Sequence, residues 1–179
     1  MNDIRLHTTR LRIAMMSPAH LSTFAAYRDH PDVARYQSWQ HYSLDDAKAL
    51  YRQIISQPVG TPGHWVQLAI CDRHSGELLG DLALVISGQQ AEVGYTVAPA
   101  HQRQGIASEA LSALLEHLQQ DWPVTQVQAR IDCQNRASAR VLEKCGFDLV
   151  AVRKQVPWRD SHFDEGRYQR LLTIAPIAP

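Results

Sequence analysis

One glycine, placed between a predicted strand and the start of a strongly predicted helix, gives this sequence a segment suited to binding an anion. The segment Gln102–Ser108 follows a predicted strand, Glu92–Val97, and precedes apolar residues spaced three and four apart. The first backbone N–H groups of a helix have no partner within the helix, and the helix dipole favours negative charge there. Small residues at Ala107 and Ser108 would let a diphosphate approach the backbone, and Arg103 would add a cation. An ordinary helix start after a loop is the alternative.

The elements around this segment predict an α+β fold. Apolar alternation and turn residues indicate strands at Thr9–Met15, Trp65–Ile70, Leu78–Ile86, Glu92–Val97, Val124–Asp132, Leu149–Val156 and Arg167–Ile174. Helices are predicted after Ser17-Pro18, after Ser43, across Ala107–Leu118, and from Asn135 to Cys145. No repeat or linker divides the chain, so residues 1–179 are predicted to form a single domain.

The composition excludes several classes of function. The 179 residues carry 18 Lys+Arg and 18 Asp+Glu, and this balance argues against a basic surface for nucleic acid or an anionic membrane. The apolar runs are too short to span a bilayer or to act as a signal peptide, so we expect a soluble cytoplasmic protein. The three cysteines and nine histidines lack metal-ligand spacing, so no metal is expected. The glycine segment also lacks the lysine and hydroxyl residue of a P-loop.

Two motifs resemble those of the GNAT N-acetyltransferase superfamily. Gln102–Ala107 resembles the acetyl-CoA pyrophosphate loop of that family, and Asn135–Phe147 resembles its second signature. The opening Thr8–Ile13 resembles the first strand of the ribosomal-protein-alanine (Rim-type) branch. The resemblance implies a GNAT-like fold, with a mixed, largely antiparallel sheet of about six to seven strands flanked by about four helices. It also implies acetyl-CoA as the cosubstrate.

The resemblance further implies how acetyl-CoA is held. The pyrophosphate would lie on the backbone amides of residues 103–108, and the pantetheine arm would pair with the strand backbone as an added strand. The N–H of Val97 would polarise the thioester carbonyl. Asn135 would bind the pantetheine chain, and it is also a good N-cap for its helix. The implied cofactor-binding residues are Tyr95, Thr96, Val97, Gln102, Arg103, Gln104, Gly105, Ile106, Ala107, Ser108, Asn135 and Ser138.

Acetyl transfer to an amine needs a base for the ammonium and benefits from an acid for the departing thiolate. Leu142 occupies the position where many family members carry a tyrosine acid, and the resemblance implies Ser138 as the substitute. A purely structural small residue is the alternative reading of Ser138. Glu92 is predicted to be the base because it starts the strand that would meet the thioester. Asp81 is a second candidate, and a base acting through water or a merely solvated Glu92 are further alternatives.

The sequence leaves the acceptor open. Tyr36 and Trp39, between the first two predicted helices, are expected together with Glu92 to contact the acceptor, or else to cover one end of the core. Trp158 and His162 are predicted to lie in a polar loop that faces the same cleft. A protein N-terminal α-amine is the favoured acceptor. A small amine (a polyamine, amino acid or antibiotic) and a non-catalytic CoA-binding module are the alternatives. We expect a monomer or a homodimer.

Overall fold

The computed structural model describes residues 4–173, which form one eight-stranded sheet with helices packed against it. The strands are β1 (Arg5–His7), β2 (Leu11–Met15), β3 (Val66–Asp72), β4 (Leu78–Ser87), β5 (Gln90–Val97), β6 (Gln126–Asp132), β7 (Asp148–Trp158) and β8 (Ser161–Leu171). The α-helices are α1 (Leu21–Asp29), α2 (Pro31–Ala34), α3 (Leu44–Ile54), α4 (Ile106–Asp121) and α5 (Arg136–Lys144). Two 3-10 turns, Pro18–His20 and Pro99–His101, precede α1 and α4.

The sheet is mixed and largely antiparallel, as expected. Its strand order is β1-β2-β3-β4-β5-β6-β8-β7. The β5–β6 pair is parallel, and every other neighbouring pair is antiparallel. Parallel neighbours need a crossover connection, and α4 supplies it. The crossover therefore places the glycine segment directly after β5, at the start of α4.

The core lies on both faces of the sheet because successive strand residues point to opposite sides. Leu68 and Ile70 of β3 belong to the cluster that contains the apolar face of α4, whose leucines are Leu111, Leu114, Leu115 and Leu118. Ala69 and Cys71 of the same strand belong to the second cluster, with Phe24 of α1 and Ala47 of α3. The four α4 leucines are at most 1% exposed, which confirms the predicted helical stripe.

The predicted helix caps at Ser43 and Asn135 are confirmed. The Asp46 N–H donates to Ser43 Oγ at 3.1 Å, and the Ser43 N–H donates to Asp46 Oδ2 at 2.8 Å. The Ser43 hydroxyl also donates to Asp46 Oδ2, at 2.6 Å, and this bond together with that from the Ser43 N–H holds the pKa of Asp46 below its ordinary value. At α5, the Ser138 N–H donates to Asn135 Oδ1 at 3.1 Å. Local side chains therefore fix where both helices begin.

The structure corrects the predicted number of elements. Residues 4–173 contain eight strands and five α-helices, where about six to seven strands and about four helices were expected. The additional elements are β1, with three residues, and α2, with four. Elements this short do not span enough residues to show an apolar period.

The predicted polar loop at Trp158 and His162 is wrong. Both residues belong to a hairpin in which Pro157 pairs with His162 and Trp158 pairs with Ser161. Most of β7 is exposed, so its sequence lacks the apolar alternation that marks a half-buried strand. Strand β8 therefore begins earlier than predicted. The predicted end of the last strand, Ile174, lies outside the described residues.

Candidate functional site

A cleft opens where β5 and β6 separate. The two strands pair only at Gln90–Glu92 with Gln126–Gln128, and no further pairs follow along the register. The cleft has a volume of about 170 Å³. Its wall is formed by β5, β6 and the start of α5, with contributions from α1, β3, β4 and the segment after α2. The lining residues are Arg28, Tyr36, Gln37, Gln67, Asp81, Ala83, Val93, Gly94, Tyr95, Thr96, Ala129, Arg130, Ile131, Asp132, Asn135 and Ser138.

Five residues predicted to bind cofactor or acceptor meet in this cleft. They are Tyr36, Tyr95, Thr96, Asn135 and Ser138. Two larger and more open surface depressions contain none of the residues predicted to bind cofactor or acceptor, and His162, which was predicted to face the cleft, lines one of them. The strand separation therefore marks the place where distant parts of the sequence converge.

The glycine segment adopts a conformation suited to presenting backbone N–H groups. Gly105 is the N-cap of α4 with φ 77°, and Arg103 also has a positive φ, of 61°. A left-handed conformation costs a non-glycine residue roughly 1–2 kcal/mol, so the loop has to be held by its surroundings. The side chains of Ile106 and Ser108 are buried. These two residues therefore offer a ligand their backbone rather than their side chains.

Arg10 and Glu109 hold this segment in place. Arg10 Nη1 donates to the Gln104 carbonyl at 2.9 Å, and Arg10 Nη2 lies 2.6 Å from Glu109 Oε2. Thr8 Oγ1 donates to Glu109 Oε1 at 2.5 Å. Partial burial raises the pKa of Glu109, but the hydrogen bonds from Thr8 and Arg10 and the Arg10 charge outweigh it and hold the pKa below its ordinary value. The carboxylate thus stays ionised and ties the first turn of α4 to the residues before β2.

The end of β5 has an edge that no strand covers. Tyr95, Thr96 and Val97 pair on one side with β4, and within residues 4–173 no strand pairs with them on the other side. The Gln102 side-chain amide donates to the Val97 carbonyl at 3.1 Å and links the glycine segment to this strand. A peptide-like ligand can therefore add to β5 as an extra strand.

Tyr95 and Ser138 form a hydroxyl pair in the cleft. Tyr95 Oη lies 2.8 Å from the Ser138 carbonyl oxygen and 2.8 Å from Ser138 Oγ. Burial raises the pKa of Tyr95 well above its ordinary value, although the hydrogen bond with Ser138 acts in the opposite direction. Both hydroxyl groups therefore carry protons at neutral pH. Leu142 is fully buried and offers no hydroxyl.

The two carboxylates that the sequence offered as bases lie in different surroundings. Glu92 Oε2 lies 3.1 Å from Arg130 Nη2, and Glu92 is not part of the cleft wall, although Arg130 is. Asp81 lines the cleft and is 1% exposed. It stands opposite Thr96 in the β4–β5 register, beside the uncovered end of β5.

Asp81 is held by two hydrogen-bond donors. The Tyr27 hydroxyl donates to one carboxyl oxygen and the Gln67 side-chain amide donates to the other. Burial raises the pKa of Asp81, against the opposing effects of the Arg28 charge and of the two hydrogen bonds. Burial also raises the pKa of Tyr27. A buried carboxyl with a raised pKa is suited to proton transfer, and it lies in the cleft itself.

The aromatic loop after α2 reaches the cleft through Tyr36 and not through Trp39. The Trp39 ring lies behind Arg28, with the guanidinium carbon 4.3 Å from the ring centre. The tip of the β7–β8 hairpin fixes this loop, because Arg159 donates to the carbonyls of Ala34 and Gln37, each at 2.7 Å, and to that of Trp39. The hairpin therefore positions one wall of the cleft.

The comparison that decides the family covers most of these features. The protein-family sequence model for the acetyltransferase (GNAT) domain matches residues 10–148. This range includes the Arg10–Glu109 contact, the separated strands and α5. The chain belongs to the GNAT acetyltransferase family. It is therefore an acyltransferase.

Curated relatives agree with this GNAT assignment. An uncharacterized N-acetyltransferase of Bacillus subtilis, YoaA, is 26% identical over 159 residues, which cover 87% of this chain and 89% of that protein. A ribosomal-protein-serine acetyltransferase of Escherichia coli is 34% identical over 83 residues, which cover 46% of each protein. The second match supports the Rim-type branch of the family.

Solved GNAT structures share the fold. A RimL ribosomal L7/L12 α-N-protein acetyltransferase in complex with coenzyme A has a TM-score of 0.83 at 19% identity, covering 94% of this chain and 98% of that chain. A spermidine N-acetyltransferase from Vibrio cholerae in complex with CoA and spermine has a TM-score of 0.80 at 17% identity, covering 93% and 98%. These two neighbours have different acceptors, so the fold alone does not identify the acceptor of this GNAT enzyme.

Sequence reasoning missed several residues of the GNAT cleft. It used only the backbone of Tyr95, whose hydroxyl reaches Ser138, and it did not consider Arg28 or Arg159. A signal for Arg28 was present, because it follows Phe24 by four residues and so continues the buried face of α1. No local signal distinguishes Arg159, whose partners lie more than a hundred residues away.

The part of the chain that the structure describes contains neither a metal-binding cluster nor a membrane-spanning helix. Residues 4–173 bring together no group of three or more His, Cys, Asp or Glu side chains that could hold a metal ion. None of their helices is both long and apolar enough to cross a membrane.

Proposed function

We propose that this GNAT enzyme transfers the acetyl group of acetyl-CoA to a primary amine, with a protein N-terminal α-amine as the favoured acceptor. The observation that carries this proposal is the uncovered end of β5. Its free backbone edge is linked to the glycine segment by the hydrogen bond from Gln102 to Val97, and it carries Tyr95, whose hydroxyl pairs with Ser138 in the cleft.

Acetyl-CoA would bind along this path through backbone groups. The diphosphate would accept hydrogen bonds from the N–H groups of residues 103–108. These groups lie at the N-terminus of α4, where the helix dipole favours an anion. The pantetheine arm would pair with Tyr95–Val97 and contact Asn135. The loop is already held by Arg10 and Glu109, so binding would cost little ordering of the backbone.

In the reaction, the neutral amine attacks the thioester carbonyl carbon, and the carbon–sulfur bond breaks as the amide bond forms. The amine gives up a proton, and the thiolate of CoA takes one. The Val97 N–H would stabilise the carbonyl oxygen as charge develops on it. The Ser138 hydroxyl would donate a proton to the departing thiolate, and the Tyr95 hydroxyl would orient Ser138 for that step.

We place the proton acceptor at Asp81 rather than at Glu92. Asp81 lines the cleft opposite Thr96, whereas Glu92 is not part of the cleft wall and its carboxylate is paired with Arg130. Because its pKa is raised toward that of an amine, the Asp81 carboxylate is a stronger base than that of an ordinary aspartate. Glu92 acting through a water molecule is the alternative.

The choice of a protein N-terminus rests on the relatives. The Escherichia coli relative is a ribosomal-protein-serine acetyltransferase, and one structural neighbour is an α-N-protein acetyltransferase. A small amine remains the second candidate, because another neighbour is a spermidine acetyltransferase. A CoA-binding module without turnover is the third. The proposal includes the cytoplasmic location that the sequence predicts, with no nucleic-acid, membrane or metal partner.

Thermal unfolding and thiol release together test this function. Acetyl-CoA at 100 times its Kd is expected to stabilise the protein by about 2.7 kcal/mol. A panel of short peptides and small amines should then include acceptors that release CoA thiol at rates well above hydrolysis. Stabilisation without thiol release for any acceptor would favour the binding module, and no stabilisation at all would contradict acetyl-CoA binding.

A further inference from the structure

The cleft wall contains a buried arginine that has no hydrogen-bond acceptor. Arg28 lies in the last turn of α1, lines the cleft, and is 8% exposed. Its Nε and Nη1 atoms are buried and have no hydrogen-bond partner. A buried charged donor without an acceptor is unfavourable, because its N–H groups have lost their hydrogen bonds to water and have no acceptor in its place. Arg28 therefore contributes to the cleft wall a guanidinium whose Nε and Nη1 donate to no acceptor within residues 4–173.

The aromatic neighbours of Arg28 pack against it but accept no hydrogen bond from its Nε or Nη1. Its guanidinium carbon lies 4.5 Å from the ring centre of Phe24, 4.3 Å from that of Trp39 and 5.1 Å from that of Tyr42. These rings attract the cation and hold the planar group in one orientation. Ring faces do not replace the oxygen acceptors that guanidinium N–H groups require.

The Arg28 charge acts to lower the pKa of Asp81 in the same cleft, but the Asp81 carboxyl group forms no ion pair with Arg28. Its two oxygens accept hydrogen bonds from Tyr27 and Gln67. Among residues 4–173, no carboxylate oxygen lies within 4.0 Å of an Arg28 nitrogen. The guanidinium of Arg28 is therefore left without a direct carboxylate partner within residues 4–173.

We propose that Arg28 binds a carboxylate carried by the acceptor close to its reacting amine. This inference rests on the proposed function, because it assigns the acceptor of that same cleft. A guanidinium fork matches a carboxylate in shape and in charge. With the carboxylate at Arg28, the amine lies toward Asp81, Thr96 and Ser138, which line the same cleft. The same charge disfavours a polyamine, whose further ammonium groups would approach Arg28.

The carboxylate has two sources that share this chemistry. It is either the α-carboxylate of a free amino acid or the acidic side chain of a residue that follows the N-terminus of a peptide. Two matched pairs of acceptors separate them. One pair is serine and serinamide. The other is a pair of amidated short peptides that begin with serine and differ only in carrying aspartate or asparagine at the second position.

The experiment measures kcat/KM for both pairs in the wild type and in three variants. Arg28→Met keeps an apolar side chain among the rings, and Arg28→Lys keeps the charge without the fork. Arg52→Met, at an exposed arginine of α3, is the matched control. Because each ratio compares two acceptors on one protein preparation, it does not depend on the fraction of folded enzyme. Calorimetric Kd values for the same acceptors, on protein saturated with CoA, give a second readout without turnover.

In at least one pair, the wild type is expected to prefer the carboxylate acceptor by about tenfold or more, the range of a hydrogen bond to a charged group. Arg28→Met should bring that ratio close to one, Arg28→Lys should give an intermediate ratio, and Arg52→Met should keep the wild-type ratio. Ratios near one in the wild type for both pairs, or ratios that Arg28→Met leaves unchanged, would overturn the assignment of Arg28 while thiol release still supports the proposed function. Failure of acetyl-CoA to stabilise the protein would overturn both.

Discussion

Tyr95 Oη lies 2.8 Å from Ser138 Oγ, so that a residue of β5 and a residue of α5 share a hydrogen bond inside the cleft. The second bond of Tyr95, to the Ser138 carbonyl oxygen, fixes the same helical turn. The two residues are far apart in sequence: Tyr95 lies in the strand before the glycine segment, and Ser138 lies in the motif Asn135–Phe147. Their contact connects the strand that would hold the pantetheine arm with the hydroxyl that would protonate the thiolate.

Removing the Ser138 hydroxyl should slow turnover and leave binding unchanged. We expect Ser138→Ala to lower kcat by about 100-fold, the lower end of the range of general acid catalysis, with the Kd of acetyl-CoA unaltered. Tyr95→Phe should lower kcat less, because Ser138 keeps its hydroxyl and loses only its orienting partner. Steady-state kinetics and calorimetry measure both effects. Ser56→Ala, at an exposed serine after α3, is the control. Nearly full turnover by Ser138→Ala would show that Ser138 is not the acid.

The left-handed backbone at Gly105 should matter for affinity as well as for stability. Gly105→Ala is expected to raise the Kd of acetyl-CoA about fivefold or more, because a Cβ at φ 77° costs roughly 1–2 kcal/mol and the loop would relax away from the ligand. Gly76→Ala, in the β3–β4 turn at φ 76°, provides the same backbone strain at a distance from the loop. Both variants should lose similar stability, and only the first should lose affinity. Equal Kd values for the two would contradict the role of this loop.

Asp81 should give the stability of the protein a recognisable pH dependence. Its pKa is raised in the folded state by burial, so its contribution to stability is fully present below its unfolded pKa of about 3.9 and is lost as the pH rises through the folded value. The difference in free energy of unfolding between the wild type and Asp81→Asn should therefore move in favour of the variant as the pH rises from about 4. Denaturant titrations at several pH values measure it, and a constant difference would contradict the raised pKa.

The same variant distinguishes the two proposed bases. Asp81→Asn is expected to lower kcat by about 100-fold, whereas Glu92→Gln, which loses only the ion pair with Arg130, should change kcat by about twofold or less. The opposite ranking would assign the base to Glu92, as the sequence predicted first. The pH profile of kcat/KM in each variant identifies which carboxyl produces the acidic limb.

Arg159 should act on the acceptor side alone. Arg159→Met removes the donor that holds the carbonyls of Ala34, Gln37 and Trp39, so the loop that carries Tyr36 should lose its fixed position. We expect the KM of the acceptor to rise about tenfold, the Kd of acetyl-CoA to stay unchanged, and stability to fall by about 1 kcal/mol. Arg153→Met, at an exposed position of β7, is the control. A parallel loss of acetyl-CoA affinity would mean that the hairpin supports the whole fold instead.

The sequence predicted the parts of the molecule that depend on local patterns. Residues close together in sequence determine these parts. Apolar periodicity predicts the α4 stripe and the central antiparallel strands, and capping chemistry predicts the helix starts at Ser43 and Asn135. The exposed β7–β8 hairpin has no apolar period, and β1 and α2 are too short to show one. For these elements, the decisive interactions are long-range pairings that a linear pattern does not contain.

The cleft was predictable to the extent that its residues belong to motifs. Gly105 and Asn135 are recognisable because they stand at helix starts, and Ser138 is implied by the resemblance to the GNAT family. The Tyr95 side chain, Asp81 with its two donors, and the unsatisfied Arg28 depend on which faces of separate elements meet. Burial and missing partners define their chemistry, and these properties exist only in three dimensions.

Transfer of an isotopically labelled acetyl group tests the central claim most directly. The enzyme is incubated with acetyl-CoA labelled in its acetyl carbons and with the acceptor panel, and the products are analysed by mass spectrometry alongside thiol release. We predict a labelled N-acetyl amide on at least one acceptor, with one CoA thiol released for each amide formed and the yield reduced by Ser138→Ala. Folded enzyme that consumes acetyl-CoA only by hydrolysis, or that labels no amine in the panel, would contradict the account.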